Sequence, residues 1–137
     1  MASLRVAKLD VVVFGATGDT GRLCCHYLFN NGQKLGIKSW APAARNLEKL
    51  QRLVPSVLSA DTQLPEHGVR ASQPIQADAN DYDAILKMAQ QAKVVVTCAG
   101  PFQWYGENVV KACVEAGCDY VDITGETPWV NGKWIHF

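Results

Sequence analysis

An excess of charge of either sign is missing from this chain. Of its 137 residues, 13 are Lys or Arg and 13 are Asp or Glu, so the formal net charge is zero. No Lys/Arg-rich run stands out, and nothing electrostatic favours a nucleic-acid partner. Long hydrophobic runs are missing as well. Val11 to Phe14 is apolar, but glycines and polar residues follow at once. No segment approaches the ~20 apolar residues of a membrane helix. Residues 1–8 are too short and too mixed for a secretory signal, so the chain reads as soluble. The five cysteines (Cys24, Cys25, Cys98, Cys113 and Cys118) form no C-x-x-C pair, and His26, His67 and His136 are scattered. An odd cysteine count argues against a disulfide framework, and free thiols in a reducing compartment are expected, with no metal site. No tyrosine (27, 82, 105 or 120) has a lysine four residues on, which excludes the Tyr-x-x-x-Lys pair of short-chain dehydrogenases.

What is present points to a folded α/β unit. Hydrophobic residues make up 48% and charged residues 19%. A chain of this length fits one domain and can bury ~68% of its unfolded surface. Strand-like runs alternate with helical ones. Strands are expected at Asp10 to Phe14, Gly36 to Ala41, Ala71 to Ala77, Lys93 to Cys98 and Asp119 to Ile123. The second should end at or before Pro42, which cannot donate to a ladder. Helices are expected at Gly18 to Asn31, with Leu23, Tyr27 and Leu28 inward and Gly32 as a left-handed stop, and at Asn46 to Val54, capped by Asn46. Further helices should start near Asp78 to Asp81, with Tyr82, Ile85, Leu86 and Ala89 on the inner face, and at Gly106 to Ala116, stopped by Gly117. There Val109, Val110, Cys113 and Val114 fall at helix spacing. Residues 55–70 read as a loop holding a short helix. With right-handed crossovers this is a Rossmann-like, doubly wound parallel sheet of five strands in the order 3-2-1-4-5, over residues 1–126. Residues 127–137 form an atypical tail.

The segment Gly15-Ala16-Thr17-Gly18-Asp19-Thr20-Gly21 lies where the first strand passes into the first helix. A helix N-terminus offers unpaired N–H groups and partial positive charge to a pyrophosphate. Gly15 permits a tight turn, Gly18 a close phosphate approach, and Gly21 close packing of helix on strand. From Ser39 to Asn46 there is no acid for a ribose diol, but there is Arg45. An Arg can fork onto a 2′-phosphate, which favours NADP over NAD; the alternative is a solvated arginine at the start of a helix. Asp78 suits either an adenine amine or a helix cap. Ala99, Gly100 and Pro101 follow the fourth strand at the edge where the cofactor should pass. No catalytic acid or base stands out, and Asp122 and Glu126 near that edge read as turn or cap residues.

These residues resemble a known family. Val12-Val13-Phe14-Gly15-Ala16-Thr17-Gly18 with Thr20-Gly21-Arg22-Leu23 look like the opening of the saccharopine-dehydrogenase-like oxidoreductases, a group that includes the trans-acting enoyl reductases. Ala44 to Leu50, Ala99 to Phe102 with Tyr105-Gly106-Glu107, and Val109 to Cys113 through Tyr120-Val121-Asp122-Ile123-Thr124-Gly125-Glu126 extend the likeness to most of residues 10–126. The resemblance implies a nicotinamide-dependent oxidoreductase using NADP, on an unknown small-molecule or lipid substrate, with a second domain supplying the substrate pocket. The tail from Pro128 to Phe137 does not resemble the family's continuation. A chain cut short is therefore expected, by truncation, splicing or a gene-model artefact, and its apolar tail needs cover. Asp19 stands where the family has an aromatic residue, and would repel a nearby pyrophosphate. Pro42 is a second departure and could displace Arg45. Three functional readings follow: a hydride-transfer enzyme domain, a dinucleotide- or protein-binding module without turnover, and a protein associated with a lipid surface, as some relatives are. The location is cytoplasmic, or peripheral to an organelle or lipid droplet. Homo-oligomerisation stays open.

Overall fold

Val12 and Val13 are fully buried at the centre of a strand, β1 (Leu9–Phe14), that has a neighbour on each side and cover on both faces. That is why its apolar run is continuous rather than alternating. In the computed structural model, residues 7–136 are described, with side chains to residue 132. Most of the N-terminal stretch read for a signal lies outside the described residues. So does Phe137, as do the side chains of Trp134, Ile135 and His136. The elements run β1, α1 (Asp19–Asn31), a 3-10 turn (Gly32–Leu35), β2 (Trp40–Ala44), α2 (Leu47–Leu53), α3 (Pro55–Leu58), β3 (Ile75–Gln76), α4 (Tyr82–Gln90), β4 (Ala92–Thr97), α5 (Phe102–Tyr105), α6 (Glu107–Ala116), β5 (Asp119–Asp122) and α7 (Thr127–His136). All strand pairs are parallel, and the order is β3-β2-β1-β4-β5. Val12, Phe14 and Val95 face the core with Ile85, Met88 and Val109. Val11 and Val13 face the opposite core with Cys25, Leu28, Phe29, Trp40 and Leu50.

Several local expectations are corrected. β2 does not stop before Pro42 but runs through it, with Pro42 opposite Val13. The carbonyls of Ser39 and Ala43 face β1, where they accept from Val11 and Gly15, whereas those of Trp40 and Ala44 face the other side, accepting from Ser72 and Ala77. By that alternation the Pro42 nitrogen points toward β3, whose pairing with β2 begins only at Ala43. The missing donor therefore breaks no ladder bond. β3 shrinks to Ile75–Gln76.

α1 is rotated from the predicted stripe. Its buried residues are Gly21, Cys25, Leu28 and Phe29, while Leu23 and Tyr27 are 70% and 54% exposed. Gly21 sets this rotation: a Cβ there would lie 2.1 Å from the Gly15 carbonyl oxygen, so position 21 must face inward with 25, 28 and 29. Gly32 is right-handed and leads into the 3-10 turn, and Gly36, at φ +72°, takes the left-handed position instead. Val114 on α6 is 62% exposed, not inward, and Met88 joins the inner face of α4. Asn46 caps α2 by accepting from the Lys49 N–H, and Gly117 ends α6 at φ +68°, both as expected. The tail is helical, and Trp129 is buried against Phe102, Val110 and Tyr120.

Candidate functional site

The carboxyl ends of β1, β2, β3 and β4 open into one cleft of about 280 Å³. Ligands in open α/β sheets bind at this edge, outside the strand ends where the connections diverge to opposite faces. The β1–α1 loop forms its floor. Gly15 sits at φ +80°, and a Cβ there would be 2.7 Å from the Ala99 nitrogen. Both steric facts demand glycine. The Gly15 and Ala16 N–H groups donate to the Ala43 carbonyl at 3.1 and 3.2 Å, which ties the loop to β2. Gly18 caps α1 without any side chain of its own, and a Cβ there would meet nothing nearer than 3.5 Å. The first N–H groups of α1 have no intrahelical acceptor. The loop thus presents donors with open space before them, which is the arrangement an anionic pyrophosphate fits.

Of the residues singled out from sequence, Gly15, Thr17, Gly18, Arg45, Asp78, Ala99 and Gly100 line the cleft together. Ala16, Asp19, Thr20, Gly21 and Pro101 do not line it. Ala16 and Gly21 are buried beneath the loop. The Asp19 carboxylate is exposed and points to the Arg22 guanidinium at 2.9 Å, an ion pair that offsets its charge toward any neighbouring anion. Arg45 is exposed at the end of β2, and its guanidinium makes no hydrogen bond or ion pair among the described residues. Pro42, two residues into β2, leaves Arg45 at the cleft. Asp78 accepts from the Asn80 N–H at 2.9 Å, while Asp81, not Asp78, caps α4 through Ala84.

Asn80, Cys98 and Tyr105 are among the lining residues to which sequence reasoning gave no binding role, Cys98 being named only as the start of the stretch after the fourth strand. The first two directly follow or flank strand ends, a signal that was available. Tyr105 stood out only within the Tyr105-Gly106-Glu107 likeness, which gives its side chain no place, because the turn of helix α5 that carries it has no periodicity of its own.

Asp122 and Glu126 have structural partners. The Glu126 carboxylate accepts from the Phe102 N–H at 2.6 Å and the Thr124 hydroxyl at 3.3 Å, and so caps α5. Asp122 accepts from the Tyr120 hydroxyl at 2.6 Å, the Thr124 N–H at 3.1 Å and the Trp129 indole at 3.4 Å. Burial, then the Asp122 carboxylate, push the Tyr120 hydroxyl well above its ordinary range. Burial pushes the Cys98 thiol up to about 11, with Cys24 adding to the effect, so it is a neutral thiol at pH 7 rather than an activated nucleophile. All five cysteines are free.

With this geometry in hand, likeness to known proteins is informative. Residues 11–133 match the family described as "Saccharopine dehydrogenase NADP binding domain". The chain belongs to that family. It is 40% identical over 126 residues to the "Lipid droplet localized protein" of Caenorhabditis elegans, covering 92% of this chain and 28% of that protein. It is 37% identical over 127 residues to the "Saccharopine dehydrogenase-like oxidoreductase" of Homo sapiens, covering 88% of this chain and 28% of that one. The chain thus spans a little over a quarter of the length of these relatives. Among solved structures, apo saccharopine dehydrogenase (L-Glu forming) from Saccharomyces cerevisiae superposes with a TM-score of 0.62 at 20% identity, over 90% of this chain and 23% of that one. At that identity the likeness speaks for the fold. This member of the saccharopine dehydrogenase-like group is a Rossmann domain for a nicotinamide dinucleotide. No helix among the described residues is long and apolar enough to cross a membrane.

Proposed function

We propose that the chain binds NADP(H) in preference to NAD(H), and that it serves a hydride transfer completed by parts the relatives carry beyond this span. Gly15, Thr17 and Gly18 hold the pyrophosphate, Arg45 the 2′-phosphate and Asp78 the adenine edge, with Ala99 and Gly100 along the ribose. The observation that carries this reading is the uncommitted Arg45 guanidinium at the cleft, in a β2 end that has no carboxylate. When bound, the nicotinamide would donate or accept the hydride, and this domain would position it. The substrate falls in the small-molecule or lipid class, and any lipid-surface contact is peripheral.

Titration with NADPH and NADH, followed by fluorescence, tests the preference. NADPH should bind at least tenfold tighter. Arg45→Ala should weaken NADPH about tenfold, the scale of a charge-assisted pair near a surface, and NADH by less than about twofold. Equal loss for both cofactors overturns the role given to Arg45.

A second reading, binding without turnover, is supported by the commitment of Asp122 and Glu126 to backbone and side-chain donors. Stopped-flow NADPH oxidation with candidate carbonyl and enoyl substrates separates the two. Tight binding with no oxidation supports the second.

A further inference from the structure

Tyr105 forms part of the cleft wall, yet nothing in the phosphate-loop logic calls for it. Tyr105 is 37% exposed, and among the described residues its ring meets that of Trp104, edge-on at 6.4 Å and 83°. The segment beneath it is held at both ends. The Glu126 carboxylate caps α5 at Phe102, and Phe102 is buried with Val110 and Trp129. At the other end, a Cβ on Gly106 would lie 2.6 Å from the Trp129 ring, so α7 presses directly on the backbone after Tyr105. The Asn108 amide donates to the Ala79 carbonyl at 2.9 Å, which locks the start of α6 to the loop after β3. A half-exposed aromatic is thereby fixed in the same cleft as Asp78 and Asn80.

The position along the cleft decides what such a ring meets. Arg45 marks the β2 end, Gly18 the pyrophosphate, and Asp78 and Asn80 the β3 end. The nicotinamide half of a dinucleotide crossing Gly18 extends the other way, over β4 and β5. Tyr105 follows β4, but the Asn108–Ala79 hydrogen bond draws its segment to the loop after β3, where a dinucleotide running over Gly18 would leave its adenine base. A purine is flat, with a π-face that stacks on aromatic side chains.

We infer that Tyr105 is the stacking shelf for the adenine base. This rests on the dinucleotide reading above and adds to it a binding residue on α5. The ring covers one face of the base. Asp78, with one carboxylate oxygen engaged by the Asn80 N–H, has its other oxygen for the exocyclic amine. The phenolic hydroxyl is not required.

The test titrates the chain with NADPH and with adenosine 2′,5′-bisphosphate, which lacks the nicotinamide half. Tyr105→Ala should weaken both by about tenfold, the effect of losing one base–aromatic stack. Tyr105→Phe should stay within about twofold of wild type, and Tyr105→Leu should behave like Tyr105→Ala. In the NMR spectrum of the bound bisphosphate, the adenine ring protons should shift upfield with wild type and Tyr105→Phe, but not with Tyr105→Leu. Unchanged affinity in a Leu variant of native circular dichroism, or a loss seen with NADPH and not with the bisphosphate, overturns the inference and leaves the dinucleotide reading standing. Wild type binding neither ligand overturns both.

Discussion

Three glycines of one loop face different constraints, and substitution should separate them. Gly15 is held twice over, by φ +80° and by the backbone of Cys98 and Ala99 against its α-carbon. Gly15→Ala should destabilise the fold by about 2 kcal/mol through backbone strain and the forced shift of the β4 loop. Gly18 carries neither constraint, since a Cβ there has 3.5 Å of clearance and the backbone is extended. Gly18→Ala should leave the urea midpoint close to wild type and weaken NADPH binding at least tenfold, because the methyl occupies the path of the pyrophosphate. Paired denaturation and titration curves check both outcomes. A Gly18→Ala chain that binds normally would show that the loop does not approach a phosphate. The G-x-x-G-x-x-G spacing was legible in the sequence because strand, turn and helix were local. The sequence also assigned close packing to Gly21 rather than Gly18; the fold supplies the measure of it, since a Cβ on Gly21 would lie 2.1 Å from the Gly15 carbonyl oxygen.

At the scale of elements, α7, most of which falls inside the family match over residues 11–133, packs against the elements that carry the cleft wall. Trp129 is 6% exposed and lies over Phe102, Val110 and Tyr120. Its indole donates to Asp122, and its ring bears on Gly106. Trp129→Ala should cost about 3 kcal/mol, as large-to-small changes of buried aromatics do, read as a lower urea midpoint with an unchanged slope. An effect below about 1 kcal/mol would mean that α7 is not docked in solution. The stretch from Tyr120 to Glu126, part of the likeness read from sequence, acts as a brace. Asp122 and Glu126 organise the β4 and β5 loops and α5 through hydrogen bonds to Thr124 and Phe102. The sequence marked both as turn or cap residues, but not which groups they hold. Their partners lie up to 24 residues away, and the spacing of a motif does not encode where its carboxylates point.

For the molecule as a whole, one exposed-edge residue links three segments of the sheet. Asp10 accepts from the Lys38 N–H at 2.7 Å and the Lys93 ammonium at 3.0 Å, joining β1 to the approach of β2 and to β4. The Lys38 hydrogen bond first, and then Lys93, hold its carboxyl below the usual carboxylate range. A depressed folded value contributes stability that is fully present above the unfolded value of about 3.9 and is lost as pH falls through the folded one. The stability gap between wild type and Asp10→Asn should therefore be constant from pH 7 to about 5 and narrow below about pH 4, in urea melts across that range. Cofactor binding acts on the same global equilibrium. NADPH at about 100 times its Kd should stabilise the chain by about 2.7 kcal/mol, seen as a raised Tm, and the Arg45→Ala chain should show a smaller rise at the same concentration.

The chain by itself determined the strand order, the glycine-rich turn from β1 to α1 and the caps at Asn46 and Gly117. Each is written in short-range periodicity or in a single residue's backbone preference. Pattern did not determine which way α1 turns, that Pro42 lies inside β2, or which groups Asp122 and Glu126 brace. It also gave no sign that Tyr105 stands in the cleft. Those depend on contacts between segments tens of residues apart, and close packing admits only one mutual arrangement of them. Tertiary structure thus made a glycine loop into a cleft with a cation at one end and an aromatic wall at the other.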